Sequence, residues 1–194
     1  KQVALTFDDV PDIRFTPQLL DVLKRYEIKA TFFIVGYRAQ NHPDLVRRMV
    51  REGHALGNHS YNHALMTKTT LPKFEKQIMR TQSIIRSLTG QAPKYYRPPY
   101  GEINEEQLRW AERHGFTVVN WDVDSLDWKG LSASEVAGNI IPAVKPGSIV
   151  LQHGGGGKGQ DLSGTIEALP KIIEQLRSQG YSFVTIPELL NSGK

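Results

Sequence analysis

Residues 3–9 read VALTFDD, an apolar, strand-like run that ends on two adjacent carboxylates, Asp8 and Asp9. Short runs of this kind, rich in β-branched and aromatic residues, are typical of buried strands. Comparable runs recur at residues 3–7, 31–35, 54–57, 95–97, 117–121, 148–152 and 182–186. Most are separated by segments with apolar residues at helical spacing, so the sequence predicts parallel strands joined by helical crossovers. Seven strands suit a barrel-like closure, but an open sheet has the same pattern.

Capping residues support the predicted helices. Ser132 and Glu135 have the spacing of a capping box, and Thr16-Pro17 fits an N-cap followed by a first-turn proline. Gly90 follows another helical segment, where a left-handed C-cap residue is expected.

Length and composition favour one globular domain. The chain has 194 residues, 39% of them hydrophobic and 23% charged, so a single domain over residues 1–194 is predicted. The absence of cysteine excludes disulfide scaffolds, thiol nucleophiles and cysteine-based zinc sites. No apolar stretch approaches the roughly 20 residues that span a bilayer, so no membrane-spanning segment is predicted. The net charge of +4 is diffuse, and nucleic acid is not an expected partner.

The unusual polar residues gather at the predicted strand ends. Residues 8–9 follow the first strand, residues 59–63 the third, residues 97–101 the fourth and residues 122–128 the fifth, and His153 ends the sixth. Parallel α/β folds carry their active sites at the carboxyl ends of the strands. The sequence therefore predicts one active site built from these separate segments.

His59 and His63 are candidates for a metal site. Their spacing of four residues places both imidazoles on one face if the segment is helical, although incidental surface histidines can have this spacing. Asp8 or Asp9 offers a third ligand, because adjacent acids after a buried strand need a cation or hydrogen bonds unless they lie in a solvated turn. Their side chains are expected to point to opposite sides of the strand. Two histidines, one carboxylate and an open position form a catalytic zinc arrangement.

His153 and Arg97 are candidates for proton transfer and for holding a carboxylate. A carboxylate within residues 122–128 that orients His153 and favours its protonated form would make it a general acid. Arg97 precedes the rigid pair Pro98-Pro99 and can hold a carboxylate in bidentate fashion. A structural histidine and a structural salt bridge are the alternatives.

Together these motifs resemble the polysaccharide deacetylases of carbohydrate esterase family four. The resemblance extends from residues 6–9 to residues 151–153, with the motifs in the family's order. It implies a distorted (β/α) barrel of about seven parallel strands, with the active site at their carboxyl ends. It implies that Asp8 is the catalytic base and that Arg97 orients it, while the metal ligands are Asp9, His59 and His63. It implies that His153 is the general acid, tethered by Asp127, and that the Tyr100 backbone N–H binds the oxyanion. The implied substrate-binding residues are Tyr100, Trp128 and Leu151.

The implied activity is a metal-dependent hydrolysis that removes N-acetyl groups from N-acetylglucosamine in a polysaccharide. Residues 122–128 and 181–188 are most similar to peptidoglycan N-acetylglucosamine deacetylases of Gram-positive bacteria, so peptidoglycan is the expected substrate. Chitooligosaccharide deacetylases and acetylxylan esterases share the motifs and the mechanism. One divalent ion is expected, zinc first, with cobalt or another transition metal as the alternative.

Two functions of other classes fit parts of the pattern. A non-catalytic, metal-containing carbohydrate-binding domain would keep the ligands, but it would not need Asp8, Arg97, Asp127 and His153 together. A metallophosphoesterase also pairs acids with histidines, but it normally holds two metals, whereas the chain has one convincing ligand set.

Two loops of the site have unusual sequences. Where the family usually has glycine after the paired acids, this chain has Val10 before Pro11, and a β-branched residue avoids a positive φ. The loop beside the base is therefore expected to run differently or to tolerate a negative φ. The glycine run at residues 154–157 is expected to open the cleft beside the acid.

The substrates that the resemblance implies lie outside the cytoplasm. We therefore expect an extracellular or cell-wall location, with an upstream export or anchoring segment in the full-length product. A polysaccharide or oligosaccharide is the expected partner, and the protein is expected to be a monomer.

Overall fold

The structure is a computed structural model that describes residues 1–191, so the end of the predicted domain 1–194 lies outside the described residues. Its sheet consists of the strands Gln2–Val10 (β1), Thr31–Ile34 (β2), Ala55–Asn58 (β3), Tyr95–Tyr96 (β4), Thr117–Val118 (β5), Val123–Asp124 (β6), Ser148–His153 (β7) and Ser182–Phe183 (β8). The strands are parallel, in the order β5-β4-β3-β2-β1-β7-β6, and β8 pairs with β1.

Helices cross over between most of the strands. They are Thr16–Arg25 (α1), Gly36–Asn41 (α2), Pro43–Arg51 (α3), Leu71–Thr89 (α4), Glu105–Arg113 (α5), Ala133–Ile140 (α6), Ser163–Ser178 (α7) and Ile186–Asn191 (α8). Short 3-10 turns lie at Met66–Lys68, Pro99–Gly101 and Asp127–Lys129. No helix in the described part of the chain combines the length and the apolarity that a bilayer crossing requires.

The predicted parallel α/β barrel is confirmed, and each of the seven predicted strands has a counterpart. The additional strand, β6, lies inside the acid-rich residues 122–128. The sequence does not predict it because it is two residues long and its neighbours are polar, so the apolar run typical of a strand is absent. Within residues 1–191 the outer strands β5 and β6 do not pair with each other, so the barrel stays open on that side.

β1 is the central strand of the sheet. It pairs with β2, β7 and β8, and residues 3–7 along it are buried. Its register against β7 runs from Val3 opposite Ser148 to Asp8 opposite His153. The fold therefore brings the ends of these two strands, and the polar residues on them, side by side.

Two of the predicted helix ends have the expected caps, and one does not. The Ser132–Glu135 capping box and the left-handed C-cap at Gly90 are present. Helix α1 does begin at Thr16-Pro17, but its N-cap position is Phe15, so the prediction of Thr16 as the cap is wrong. The buried Thr16 hydroxyl instead accepts from the Asp12 N–H and donates to the Gly154 carbonyl oxygen, and so joins two loops.

The main apolar core lies between the sheet and the helices. Helix α1 buries Leu19 and Leu23 there, and α7 buries Leu169 and Ile172. A second cluster, centred on Phe74, lies under α4 and α5. These layers support the sheet on its helix-covered face and leave the carboxyl ends of the strands for the site.

Candidate active site

Asp8 and Asp9 lie where β1 is kinked. The register against β2 shifts between Phe7 and Val10, and Asp9 has a left-handed backbone with a φ of 63°. A regular strand would point the two carboxylates to opposite faces. Both line the same cavity here, so the expectation of opposite directions is wrong. The left-handed position is Asp9, and Val10 is not among the residues with positive φ, which is how this chain accommodates a β-branched residue after the acids.

His59 and His63 come together through a bend and not through a helix. Ser60 and His63 have left-handed φ values of 68° and 61°. The Asn58 Oδ1 atom accepts from the Ser60 N–H at 3.0 Å, and the Ser60 Oγ atom accepts from the His63 N–H at 3.1 Å. This bend brings the two imidazole ring centres within 4.8 Å, so the pairing is as predicted but its helical basis is not.

Asp9, His59 and His63 form a ligand set that fits one divalent cation. Their ligand atoms all lie within 4.8 Å of one another. The Asp9 Oδ1 atom is 3.3 Å from His59 Nε2 and 3.2 Å from His63 Nε2, yet it is buried without a hydrogen-bond partner in the described structure. The His59 Nδ1–H donates to the Arg97 carbonyl oxygen at 2.6 Å, which leaves Nε2 free to act as a ligand. An orphaned carboxylate oxygen between two imidazole nitrogens is what a bound cation would satisfy.

The three ligands differ in their protonation. Burial raises the pKa of Asp9, but the nearby imidazoles of His59, His63 and His153 outweigh it and hold that pKa below its ordinary value. Burial, together with the charge of His59, lowers the pKa of His63. Burial also lowers the pKa of His59, but the charges of Asp8 and Asp9 outweigh it and raise that pKa. Because a metal ion binds ionised carboxylate and neutral imidazole, Asp9 and His63 already favour the binding forms, whereas His59 would give up a proton when a metal binds.

Arg97 holds Asp8 through a single nitrogen. The fully buried guanidinium donates from Nη1 to Asp8 Oδ1 at 2.8 Å and to Thr6 Oγ1 at 2.7 Å. Its Nε and Nη2 atoms donate to the carbonyl oxygens of Val119 at 3.0 Å and Asn120 at 2.9 Å. The predicted pairing with a carboxylate is present, but the bidentate geometry is wrong, because two of the nitrogens satisfy backbone carbonyls where the barrel opens.

His153 and Asp127 form a hydrogen-bonded pair in which Asp127 is buried and His153 is half-buried. The His153 Nδ1–H donates to Asp127 Oδ1 at 2.8 Å. Asp127 Oδ2 accepts from the His153 backbone N–H at 2.8 Å and from the Thr165 hydroxyl at 2.7 Å. Burial lowers the pKa of His153, but the hydrogen bond and charge of Asp127, with the charges of Asp9 and Asp8, outweigh it and raise that pKa to about 9. The imidazole is therefore protonated at neutral pH.

The site residues surround a cavity of about 420 Å³. Tyr100 and Trp128 stand at its rim with 64% and 49% of their surface exposed, whereas Leu151 is buried. Tyr100 has a left-handed φ of 61°, and its ring lies edge-on to that of His63 with centroids 5.0 Å apart. The lining residues are Asp8, Asp9, His59, His63, Tyr100, Trp121, Asp124, Trp128, Leu151, His153 and Gln160.

Every predicted site residue lies in this cavity or directly behind it. Arg97 and Asp127 stand behind the lining, against Asp8 and His153 respectively. Sequence reasoning missed the lining residues Trp121, Asp124 and Gln160 and the supporting residues Thr6 and Thr165. Trp121 had a local signal, as an aromatic residue at the end of a predicted strand. The hydroxyl residues had none, because each reaches its partner from a distant part of the chain.

Comparisons with known proteins agree with this geometry. A family model for polysaccharide deacetylase matches residues 1–119. A peptidoglycan-N-acetylglucosamine deacetylase of Bacillus cereus is 47% identical over 193 residues, which cover 100% of this chain and 70% of that protein.

Two solved structures extend the comparison. The crystal structure of the Bc1960 peptidoglycan N-acetylglucosamine deacetylase, in complex with a substituted N-oxidanyl-benzamide, superposes with a TM-score of 0.94 at 47% identity, covering 97% of this chain and 87% of that one. A family 4 acetyl xylan esterase from Clostridium thermocellum, in complex with a cobalt ion, gives a TM-score of 0.90 at 37% identity, covering 97% and 90% of the two chains.

Proposed function

Because the chain belongs to the polysaccharide deacetylase family, we propose that it hydrolyses the acetamide group of N-acetylglucosamine residues in peptidoglycan. The predicted family and enzyme class, a hydrolase acting on amide bonds, are confirmed. The observation that carries the proposal is the pairing of Asp8 with His153 across β1 and β7, beside the ligand set in one cavity. A carbohydrate-binding domain without activity would gain nothing from a carboxylate and a protonated imidazole held this way.

Asp9, His59 and His63 are the proposed ligands of one divalent ion. Their two nitrogens and one carboxylate oxygen suit zinc, and cobalt accepts the same donors. When bound, such an ion supplies a Lewis acid for the amide carbonyl and for water. This role explains why a buried carboxylate oxygen is left without a hydrogen bond between two imidazoles.

The remaining residues are assigned proton transfer and charge stabilisation. Asp8, fixed by Arg97, takes the proton of the attacking water. The Tyr100 N–H donates to the carbonyl oxygen as negative charge develops on it. His153, kept protonated by Asp127, gives its proton to the departing sugar amine. Leu151 and Trp128 provide the apolar surface for the acetyl methyl group.

Acetate release is the direct test of this function. We expect the protein to release acetate from peptidoglycan faster than from chitooligosaccharide or acetylxylan, because the relatives at 47% identity are named peptidoglycan N-acetylglucosamine deacetylases, whereas the acetyl xylan esterase is 37% identical. A chelator should abolish release, and added zinc or cobalt should restore it.

Other outcomes identify the alternatives. Faster release from chitooligosaccharide or from acetylxylan would reassign the substrate and keep the mechanism. Binding of the glycan without acetate release, in protein that carries a full equivalent of metal, would contradict the enzymatic proposal.

The pH dependence reports on His153. Because His153 must be protonated to act and the hydrogen bond and charge of Asp127 raise its pKa, we expect kcat/KM to fall at alkaline pH as His153 loses its proton. Asp127→Asn removes the charge that opposes the effect of burial, so this alkaline limb should move to lower pH. The measurement is kcat/KM against pH for both proteins.

Asp124→Asn is the matched control for that experiment. Asp124 also lines the cavity, but its carboxylate accepts from the Leu126 N–H and not from His153. Its alkaline limb should stay in place. An unchanged limb in Asp127→Asn would refute His153 as the proton donor.

The proposed place of action is outside the cytoplasm, because that is where peptidoglycan lies. The predicted carbohydrate partner is consistent with the family, and the monomeric state stays a prediction.

A further inference from the structure

The glycine run after His153 packs against the acid pair. Gly154, Gly155 and Gly156, called here the glycine loop, are buried, and only Gly157 onward is exposed. The expectation that the run opens the cleft is therefore wrong for these three residues. A Cβ atom on Gly155 would collide with the Asp9 carbonyl oxygen, so this contact requires glycine.

Asp12 binds the glycine loop through hydrogen bonds. Its buried carboxylate accepts from the Gly156 N–H at 3.2 Å and from Arg14 Nη2 at 2.8 Å, with Arg38 Nη1 at 3.3 Å. The same two arginines donate to the Gly156 carbonyl oxygen at 3.0 Å and 2.8 Å. Thr16 adds a further link, from the Asp12 N–H to the Gly154 carbonyl oxygen. One carboxylate thus organises both the N–H and the carbonyl of Gly156.

The glycine loop in turn contacts the left-handed backbone of Asp9. Asp9 is left-handed, a conformation that a non-glycine residue keeps only when its surroundings impose it. The loop bonds to the preceding residue through the Gly154 N–H and the Asp8 carbonyl at 2.9 Å, and it abuts the Asp9 carbonyl through Gly155. It therefore restricts the backbone rotation that aims Asp9 Oδ1 between the two imidazoles.

We propose that Asp12 is a positioning residue for the metal ligand Asp9 and that it acts through the glycine loop. The proposal rests on the role assigned to Asp9 above. Asp12 and Arg38 do not line the cavity, and their contacts with Gly156 connect them to Asp9 through the backbone of the glycine loop.

The test is the zinc affinity of metal-free protein, measured by competition with a chromophoric chelator. Asp12→Ala should weaken zinc binding by about 10-fold or more, the usual effect of losing an outer residue that orients a ligand. Acetate release should recover at saturating zinc. Asp12→Asn keeps an acceptor for Gly156 but loses the charge that gathers the arginines, so its affinity should be intermediate.

Glu52→Ala is the matched control. Glu52 is a partly buried acid that pairs with Arg48 and contacts no residue of the site. It should lower the unfolding midpoint without changing the zinc affinity.

The outcomes separate this proposal from the assigned function. Folded Asp12→Ala with the zinc affinity of the unchanged protein overturns the positioning role. Failure of the unchanged protein to bind zinc would instead refute the ligand set itself. If Asp12→Ala does not fold, Arg38→Met decides, since it removes one donor to Gly156: a weaker affinity supports the proposal, and an unchanged affinity overturns it.

Discussion

Asp8→Asn is expected to lower kcat by at least about 10²-fold, because an amide cannot accept the proton of the attacking water at neutral pH. The asparagine keeps an oxygen that can accept from Arg97 Nη1. The guanidinium still donates to the Thr6 hydroxyl oxygen and to the carbonyl oxygens of Val119 and Asn120. Metal content and substrate binding should therefore stay near those of the unchanged protein. Single-turnover acetate release at several substrate concentrations measures the rate and the substrate binding. Elemental analysis of the same samples measures the metal content.

Asp9→Asn is the comparison that separates the two carboxylates. It weakens a charged ligand at the point where Oδ1 lies between His59 and His63, so metal occupancy should fall. Activity should recover in part when excess metal is added. If added metal rescues Asp8→Asn and not Asp9→Asn, the roles of the two residues are reversed.

Arg97→Met is expected to have the largest effect on stability. The substitution leaves the buried Asp8 carboxylate without its nearer cationic partner, since His59 Nε2 is 3.6 Å away, and removing one partner of a buried ion pair typically lowers the free energy of unfolding by about 3–5 kcal/mol. The substitution also removes the cation–π contacts of the guanidinium with Phe33 and Trp121, whose ring centroids lie 4.2 Å and 5.5 Å from its carbon. Urea unfolding of both proteins measures the difference.

Arg47→Met is the matched control, because Arg47 and its partner Asp44 are both exposed. Its loss should be about 1 kcal/mol or less. The double variant Arg97→Met with Asp8→Asn should lose less free energy of unfolding than the sum of the two single changes, because no unpaired carboxylate charge is left at residue 8. An Arg97→Met loss no larger than that of Arg47→Met would contradict a buried pair.

Much of this architecture could be predicted because apolar runs are local signals. The run at residues 3–7 and the run at residues 148–152 each end on their reactive side chain, so Asp8 and His153 could be assigned to one rim before their pairing was known. The order of the strands in the sheet then makes these two residues neighbours.

The remaining features depend on contacts between distant segments. Thr165 meets Asp127 across 38 residues, and Thr6 meets Arg97 across 91, and neither threonine carries a local mark of that role. The left-handed turn falls on Asp9 and not on the next residue because Val10 is β-branched and buried in the core. Arg97 cannot be bidentate because backbone carbonyls at the barrel opening compete for its donors.

The central position of β1 links the reaction chemistry to the cooperativity of unfolding. The strand that carries Asp8 and Asp9 is bonded to three others, so it cannot detach without disrupting most of the sheet. Its amide hydrogens should exchange with solvent only through global unfolding, unlike those of exposed loops. A cation bound at the end of this strand therefore stabilises the whole domain by mass action, by about 2.7 kcal/mol when its free concentration is 100 times its dissociation constant.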